Sequence, residues 1–593
     1  MELILQVFYS VFSGALLAAA IPNELYLLGC PFYTLLAFIP YYLVFNKIKN
    51  YKQAFLAGFI QAVTTHLISS FWLAYFKDFA ALTLGASAFG TGCIGGFFGL
   101  FLYLPYASSK NRNKLNELSL YQSFFDSVSF RIFYFSSLYT LYEWVKSSGF
   151  LGYPWGTVSS AIYRWPILMQ ISSITGTYGI TFLITTFNAL MAELLLCAFR
   201  HTQDDTTRFY HIKQCGTLFA VLSALTFCYG YFQYYKNRTP VKTLTTVLVQ
   251  QNEDPWKQDS DEETILLSQE LTKKALRELE IQDKKADLIV WSEGCLKRPF
   301  PNAQFYYNRY PKDQPLTQFI KETTVPYLLG GSYIKDYELK QYFNAAHIFD
   351  EQGNFRGCYG KNHLVPFAEA LPFIEYPKIK KIMQKIVGIS AGWTPGDQYV
   401  YFDVPCKATK ANPLPAVKNI DLQIPYEEQL KNEKKSESVR IAAPICFDDS
   451  FTDIMRPLFL NGAELFINIT DDSWSLKDSS EYQHFVIASY RSIEYRTTMV
   501  RSTNAGYSVV LNPAGQIIHD MPLCEAADSS FEVPVYKREI TTYARFGNWL
   551  PYTIAVLFIA FAVYSFIIFT PDDYIPSERK VKDKKKKNKK HKK

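Results

Sequence analysis

Seven apolar runs, each near the roughly 20 residues that a bilayer demands of a helix, fill the first part of the chain at about 3–20, 25–45, 54–76, 79–105, 127–145, 168–199 and 215–235, and an eighth covers 551–569. Between the last two the pattern changes. T-T-V-L-V-Q (245–250), D-L-I-V-W (287–291), Y-L-L-G-G-S-Y (327–333), N-A-A-H-I-F-D (344–350), V-R-I-A-A-P-I-C (439–446) and E-L-F-I-N-I-T (464–470) predict strands, while 260–280, 314–323 and 481–497 predict helices. That alternation predicts an α/β layered domain. The polar, proline-broken stretch 406–438 reads as an inserted surface loop. The expected organisation is a polytopic membrane domain with seven helices over 1–239, a polar α/β domain over 240–545, an eighth span over 546–570 and a basic, disordered tail over 571–593.

Charge sets the orientation. Lys47, Lys49 and Lys52 follow the second run, Lys110, Arg112 and Lys114 the fourth, and Arg200, Arg208 and Lys213 the sixth, so every second loop is basic. Basic loops stay in the cytoplasm, which places residues 240–545 outside and both termini inside. The first run lacks a basic leader and reads as a span, not a cleaved signal. Residues 578–593 hold eleven Lys/Arg and two acids, so the formal net charge of +7 belongs to the tail and the rest is near −2. The tail reads as a topology anchor with affinity for anionic headgroups, and no nucleic-acid-binding domain is indicated.

Six glycines between Gly85 and Gly99 crowd the fourth run, where small residues let helices pack closely. Glu143 lies near the outer end of the fifth run, at a depth where a carboxylate is either functional or solvated. The ten cysteines show neither a C-x-x-C pair nor metal-ligand spacing with histidine, so no metal and no other cofactor is expected.

Three segments of the polar domain carry chemistry: V-W-S-E (290–293), Y-G-K-N-H-L-V-P-F-A-E (359–369) and A-A-P-I-C-F-D (442–448). They supply Glu293, Lys361 and Cys446. A thiol that attacks a carbonyl needs a base for its proton, and the oxyanion that follows needs a fixed positive charge. Glu293 and Cys446 fall at strand ends, where open α/β sheets place their chemistry. A helix beginning at Cys446 is expected to lower the thiol pKa. His363 and His484 read as structural, hydrogen-bonded residues, and Asp471 and Asp472 as partners of loop amides.

This constellation resembles the nitrilase, or carbon–nitrogen hydrolase, superfamily, and within it the membrane-bound apolipoprotein N-acyltransferase family. K-N-H-L-V-P-F-A-E (361–369), Q-H-F (483–485), R-S-T-N-A-G (501–506) and Y-A-R-F-G-N-W (543–549) carry the likeness. The resemblance implies an α-β-β-α sandwich beside the membrane helices, with Cys446 as nucleophile, Glu293 as general base and Lys361 as oxyanion partner. Glu369, Phe447 and Asp448 then shape the substrate site, and Trp256 contacts lipid. It further implies a phospholipid acyl donor, a diacylated apolipoprotein acceptor and residence in a bacterial inner membrane with the α/β domain periplasmic. A monomer suffices for this chemistry. Departures from the family pattern are Phe447 and Asp448 in place of Tyr and Glu, W-S-E-G (291–294) in place of W-P-E-S, and D-D-S-W-S (471–475) in place of N-D-x-W-F. The triad alone leaves a membrane-tethered amidohydrolase open, and the departures around Cys446 leave an inactive lipoprotein-binding scaffold open.

Overall fold

The computed structural model describes residues 2–76, 81–110, 127–200, 205–254, 261–370, 376–378, 381, 392–406, 418–419 and 438–569. Trp256, most of the 406–438 insert and the basic tail lie outside them.

The N-terminal part is helical: α1 (Glu2–Ala20), α2 (Thr34–Phe45), α3 (Tyr51–Ser69), α4 (Ser87–Lys110), α5 (Val128–Lys146), α6 (Tyr178–Arg200) and α7 (Asp205–Tyr235). Among the described residues, four helical stretches are long and apolar enough to cross a membrane: Glu2–Ala20, Thr83–Tyr106, Tyr178–Phe199 and Arg208–Tyr235. Pro31–Phe45 is a shorter apolar helix. The helices α3 and α5 have spanning length, but polar residues such as Gln61, His66, Arg131 and Lys146 dilute their hydropathy.

Three expected spans are corrected. The run 25–45 becomes helical only near its middle, because Asn23 accepts the amides of Leu25 and Tyr26 in a turn and Gly29 sits at φ +59°. The run 54–76 ends as a helix at Ser69 and continues as a 3-10 turn, Phe71–Tyr75. The run 168–199 breaks at Gly176, φ +64°, against which the Tyr543 ring packs, leaving short helical turns Pro166–Met169 and Ser172–Thr175 before α6.

Close packing of α3 on α4 explains part of the glycine stripe. A Cβ on Gly95 would stand 2.5 Å from Ala62 Cβ, and one on Gly92 2.5 Å from a Val63 methyl, whereas Gly85 and Gly90 have open space. Gly96 and Gly99 are crowded as well, Gly99 by the Ala54 carbonyl at 2.4 Å, so the stripe demands glycine from Gly92 to Gly99 and not at Gly85 or Gly90.

The polar domain holds two sheets. One runs β13-β1-β2-β3-β4-β5 and the other β12-β11-β10-β9-β8-β6-β7. In the first, β1 (Lys242–Gln250), β2 (Leu288–Trp291) and β3 (Tyr327–Asp336) are parallel, flanked by β4 (Gln341–Phe349) and β5 (Phe355–Gly360). The second contains β6 (Val400–Pro405), β7 (Lys418–Asn419), β8 (Ser438–Ala442), β9 (Leu465–Thr470), β10 (Thr498–Thr503), β11 (Val509–Leu511) and β12 (Ile517–Asp520), with β8, β9 and β10 parallel. The long β13 (Ala527–Val535) closes the first sheet against β1.

Strand alternation divides the apolar residues. Leu244, Leu248, Leu288 and Val290 face the second sheet in one core with Ile441, Leu465 and Ile467, while Val247, Val249, Ile289 and Trp291 face the helices α8 (Glu262–Ile281) and α9 (Leu316–Thr323). Helices α10 (Thr452–Leu460) and α11 (Asp478–Tyr495) join the second sheet, and α12 (Trp549–Phe569) is apolar. The result is the expected α/β layering.

Buried hydrogen bonds join this domain to the membrane helices. Gln483 on α11 donates to the carbonyls of Pro22 (2.5 Å) and Ser69 (2.6 Å) and accepts from Trp72 Nε1 at 3.1 Å. Tyr490 donates to the Ser159 carbonyl, and Arg496 reaches Gln170 Oε1 and Ser173 Oγ.

Replacing Gly95 by Leu forces α3 and α4 apart and lowers stability by about 1–3 kcal/mol. Gly90→Ala, made where space is open, leaves stability unchanged or raises it. Thermal unfolding of both variants in detergent checks the contrast.

Candidate active site

Each reactive residue lies just beyond the end of a strand. Glu293 follows β2, and Gly330 on the neighbouring strand makes room for it, since a Cβ there would lie 2.5 Å from Glu293 Cα. Lys361 follows β5, with its amide on the Asn344 carbonyl at 2.8 Å and its own carbonyl held by Gly396 N at 2.7 Å. Cys446 lies four residues beyond β8, where Ile445 bridges Ile469 and the chain turns sharply. Its φ of +45° is unusual for a residue with a side chain. Such strain persists only when the surroundings impose it. Asn468 imposes it here, donating to the carbonyls of both Pro444 and Cys446 at 3.2 Å.

The Lys361 side chain is 1% exposed and lies between two carboxylates. Its Nζ is 2.9 Å from Glu369 Oε1 and 3.3 Å from Glu293 Oε1. Asn344 Nδ2 donates to the same two oxygens at 3.1 and 2.6 Å. Glu293 Oε2 accepts the Asp471 amide at 2.7 Å, and Glu369 Oε2 the Val365 amide at 2.8 Å. Both acids are thereby fixed by backbone as well as by charge.

One ammonium between two carboxylates leaves a net negative charge. Burial raises the Glu293 pKa; Lys361 opposes this, while Glu369 and Asp471 add to it. Burial alone would lower that of Lys361, but Cys446, Glu293 and Glu369 hold it well above its ordinary value. Lys361 therefore stays charged, and Glu293 becomes a better proton acceptor.

The expected lowering of the thiol pKa is overturned. Burial pushes Cys446 well up, with Glu293 adding and Lys361 opposing. The segment after Cys446 is a single 3-10 turn, Cys446–Ser450, and α10 starts only at Thr452. Five residues with acids in their first turn provide no macrodipole to stabilise a thiolate.

Phe447 and Asp448 do shape the surroundings. The Phe447 ring stacks on Trp155, from the loop after α5, at 5.4 Å and 17°, and meets Phe451 edge-on at 4.8 Å. Asp448 accepts the His363 amide (2.7 Å), the Ile445 amide (3.1 Å) and the Tyr359 hydroxyl (2.9 Å), tying the Lys361 segment to the cysteine turn. Burial pushes its carboxyl up to about 7, against those hydrogen bonds.

The histidines differ. His363 lies flat on Phe451, ring centres 3.6 Å apart, with Nε2 buried and unpartnered, so it is a packing residue and not the hydrogen-bonded one expected. His484 is bonded through both nitrogens, to Asp472 Oδ1 at 2.5 Å and Asp449 Oδ1 at 2.9 Å. Asp471 accepts the Ser473 amide, as expected, but Asp472 pairs with His484 and Arg501 instead of loop amides. Cys446, Asp472 and His484 also have ligand atoms within 4.8 Å of one another. Because both nitrogens of His484 face carboxylates, the ring presents protons there and not a lone pair for a metal.

Sequence reasoning missed Asn344, Asp449, Asn468 and Trp155. Asn344 and Asn468 are polar positions within apolar strands, a signal that could have marked them. Glu143 is settled as buried, accepting the Val158 amide at 2.8 Å and the Thr181 hydroxyl.

Comparison with known proteins agrees with this geometry. Residues 13–190 match the apolipoprotein N-acyltransferase N-terminal domain, and residues 246–526 match the carbon-nitrogen hydrolase domain. An apolipoprotein N-acyltransferase 2 of Treponema denticola is 37% identical over 94% of this chain and 97% of its own length. One of Treponema pallidum is 34% identical, covering 93% of each, and an apolipoprotein N-acyltransferase of Borreliella burgdorferi is 26% identical over 93% of this chain and 94% of its own. With a membrane helical domain joined to a carbon–nitrogen hydrolase domain whose strand ends gather Glu293, Lys361 and Cys446, the chain belongs to the apolipoprotein N-acyltransferase family.

Proposed function

We propose that the chain moves an acyl group from a phospholipid, through a thioester on Cys446, to the α-amino group of an S-diacylglyceryl cysteine at a lipoprotein N-terminus. The observation that carries this reading is the buried Lys361 ammonium held between Glu293 and Glu369 within electrostatic reach of Cys446. Glu293 accepts the thiol proton as sulfur attacks the ester carbonyl. Lys361 steadies the resulting oxyanion. Collapse expels the lysophospholipid alkoxide, which regains the proton from Glu293. The acceptor amine then attacks the thioester, Glu293 takes its proton, and the departing thiolate recovers a proton to complete a ping-pong cycle.

Support for a lipid donor comes from the hydrogen bonds that dock α11 on the ends of the membrane helices, and from apolar side chains exposed near the site, including Phe367, Trp474 and Leu476. Glu369 keeps Lys361 charged and aimed, while Phe447 and Asp448 hold the cysteine turn. Trp256 is proposed as a lipid contact on the family resemblance alone. The reading includes eight spans in a bacterial inner membrane, with domain limits at 1–239, 240–545 and 546–570, the α/β domain periplasmic and both termini cytoplasmic.

Intact-protein mass spectrometry tests the reaction. Incubation with phospholipid is expected to add one acyl mass to Cys446, and a diacylated N-terminal cysteine peptide to remove it as an amide. Cys446→Ala accumulates no acyl mass. Loss of the acyl mass as free fatty acid with peptide present would instead support a hydrolase.

Glu293→Gln slows acylation by about 10²–10⁴-fold in single-turnover assays, with the fold retained. The pH profile follows from the charge arrangement. As pH falls, Glu293 gains a proton and cannot act as base, so the acidic limb of kcat/KM lies above the ordinary carboxylate range. Glu369→Gln removes a negative neighbour, lowers the Glu293 pKa and moves that limb to lower pH.

A further inference from the structure

A closed ring of four buried charges adjoins the nucleophile. His484 on α11 contacts Asp449 and Asp472, and Arg501 on β10 contacts the same two acids, through Nη1 to Asp449 and through Nη2 to Asp472 at 3.0 Å. The four side chains are 0–6% exposed. Asp449 belongs to the 3-10 turn that starts at Cys446, and Asp472 follows β9. The ring therefore binds the cysteine turn to two strands and to α11. It also lies close to the sulfur, since donor atoms of Cys446, Asp472 and His484 are mutually within 4.8 Å.

We propose that His484 is a positioning residue for the nucleophile: its imidazolium balances the charge ring, locks the Cys446 turn and supplies a second fixed cation to the Cys446 thiolate. This rests on the reading of Cys446 as the acyl acceptor. With His484 protonated the ring carries two positive and two negative charges. Without that proton it carries a net negative charge beside a thiol that already faces Glu293, Glu369 and Asp472, with Lys361 as the opposing cation. The Trp155 ring packs near the imidazole, and Glu481 on the same helix and Asp471 lie within electrostatic reach of its partner Asp472. None of these provides a replacement cation. Burial disfavours the charged imidazole, but Asp472 and Asp449 outweigh it and raise its pKa to about 9. The imidazolium is thus present at neutral pH and lost as pH rises through about 9.

The prediction is one of sign, read on the full-length protein in detergent as the rate of iodoacetamide alkylation at Cys446, resolved by peptide mass spectrometry. At about pH 8, H484Q is expected to slow alkylation roughly tenfold, the effect of one nearby charge on a thiol. H484Q/D449N, which restores neutrality, is expected to bring the rate back toward wild type. D449N alone leaves an excess positive charge while His484 keeps its proton, and because it also removes an acid that raises the His484 pKa, it is expected to accelerate alkylation toward the acidic end of the pH range. The difference between wild type and H484Q should close as pH rises through about 9, where the wild-type ring loses its own proton.

An H484Q protein that unfolds at the wild-type temperature and alkylates at the wild-type rate overturns the proposal. So does a double variant slower than the single one, which is what a purely structural role produces. If H484Q does not fold, D449N decides alone, followed from about pH 6 to about pH 9 because loss of Asp449 also lowers the His484 pKa: a rate equal to or below wild type throughout that range overturns the proposal. Alkylation needs no substrate, so failure of the acyl-transfer reading appears separately, as absence of an acyl mass on the wild-type protein.

Discussion

A lysine ammonium taken out of water must be paired, and the surroundings of Lys361 are arranged to meet that demand. Removing an ammonium from water costs several kcal/mol even after relaxation. Two carboxylates and the shared Asn344 amide recover that cost, with Glu293 held by the Asp471 amide beyond β9 and Glu369 by the Val365 amide of its own segment. The ends of β2, β4, β5 and β9 therefore have to converge. The same pairing leaves Glu293 in a negative field and ready to take a proton. Stability and reactivity come from one charge imbalance.

Around that centre the protein handles the nucleophile differently. Cys446 gains little from the turn that bears it, and burial alone makes its thiolate unfavourable. What the turn provides is geometry: a left-handed residue, Asn468 beneath its carbonyl, Asp448 across to the Lys361 segment and the Phe447 ring against Trp155. Charge is delivered from elsewhere in the fold. A high thiol pKa also suits the cycle, because a thiol that remains protonated at rest is protected from adventitious oxidation until base and ester meet.

The sequence made much of this visible, for identifiable reasons. Apolar runs near 20 residues and strand-like runs ending in reactive side chains are local signals, and Glu293, Lys361 and Cys446 stand at such ends. What escaped was set by contacts distant in sequence. An asparagine turn at Asn23 and left-handed glycines at Gly29 and Gly176 cut two of the helices shorter than hydropathy suggests. β10 to β13 include short or half-exposed strands with weak alternation. The partners of His484 lie 35 and 12 positions away, so its role depended on the fold bringing Asp449 and Asp472 to the same ring. The thiol pKa runs against the sequence expectation because the fold buries Cys446 beside Glu293, and because a strand-to-helix junction in sequence is a 3-10 turn in space.

The seam between the two halves limits how this protein can be divided. Gln483 and Tyr490 give their hydrogen bonds to carbonyls of the membrane part, and the nearly fully enclosed Arg496 divides its own between Gln170 and Ser173 there and the Pro513 carbonyl of its own domain. Cut free, the α/β half would present a guanidinium stripped of its Gln170 and Ser173 partners, the unpaired Gln483 amide and the aromatic side of Phe447 to water. The two halves are thus tied by a buried polar seam, and a water-soluble enzyme made from this chain would require a redesigned underside, not merely a shorter gene.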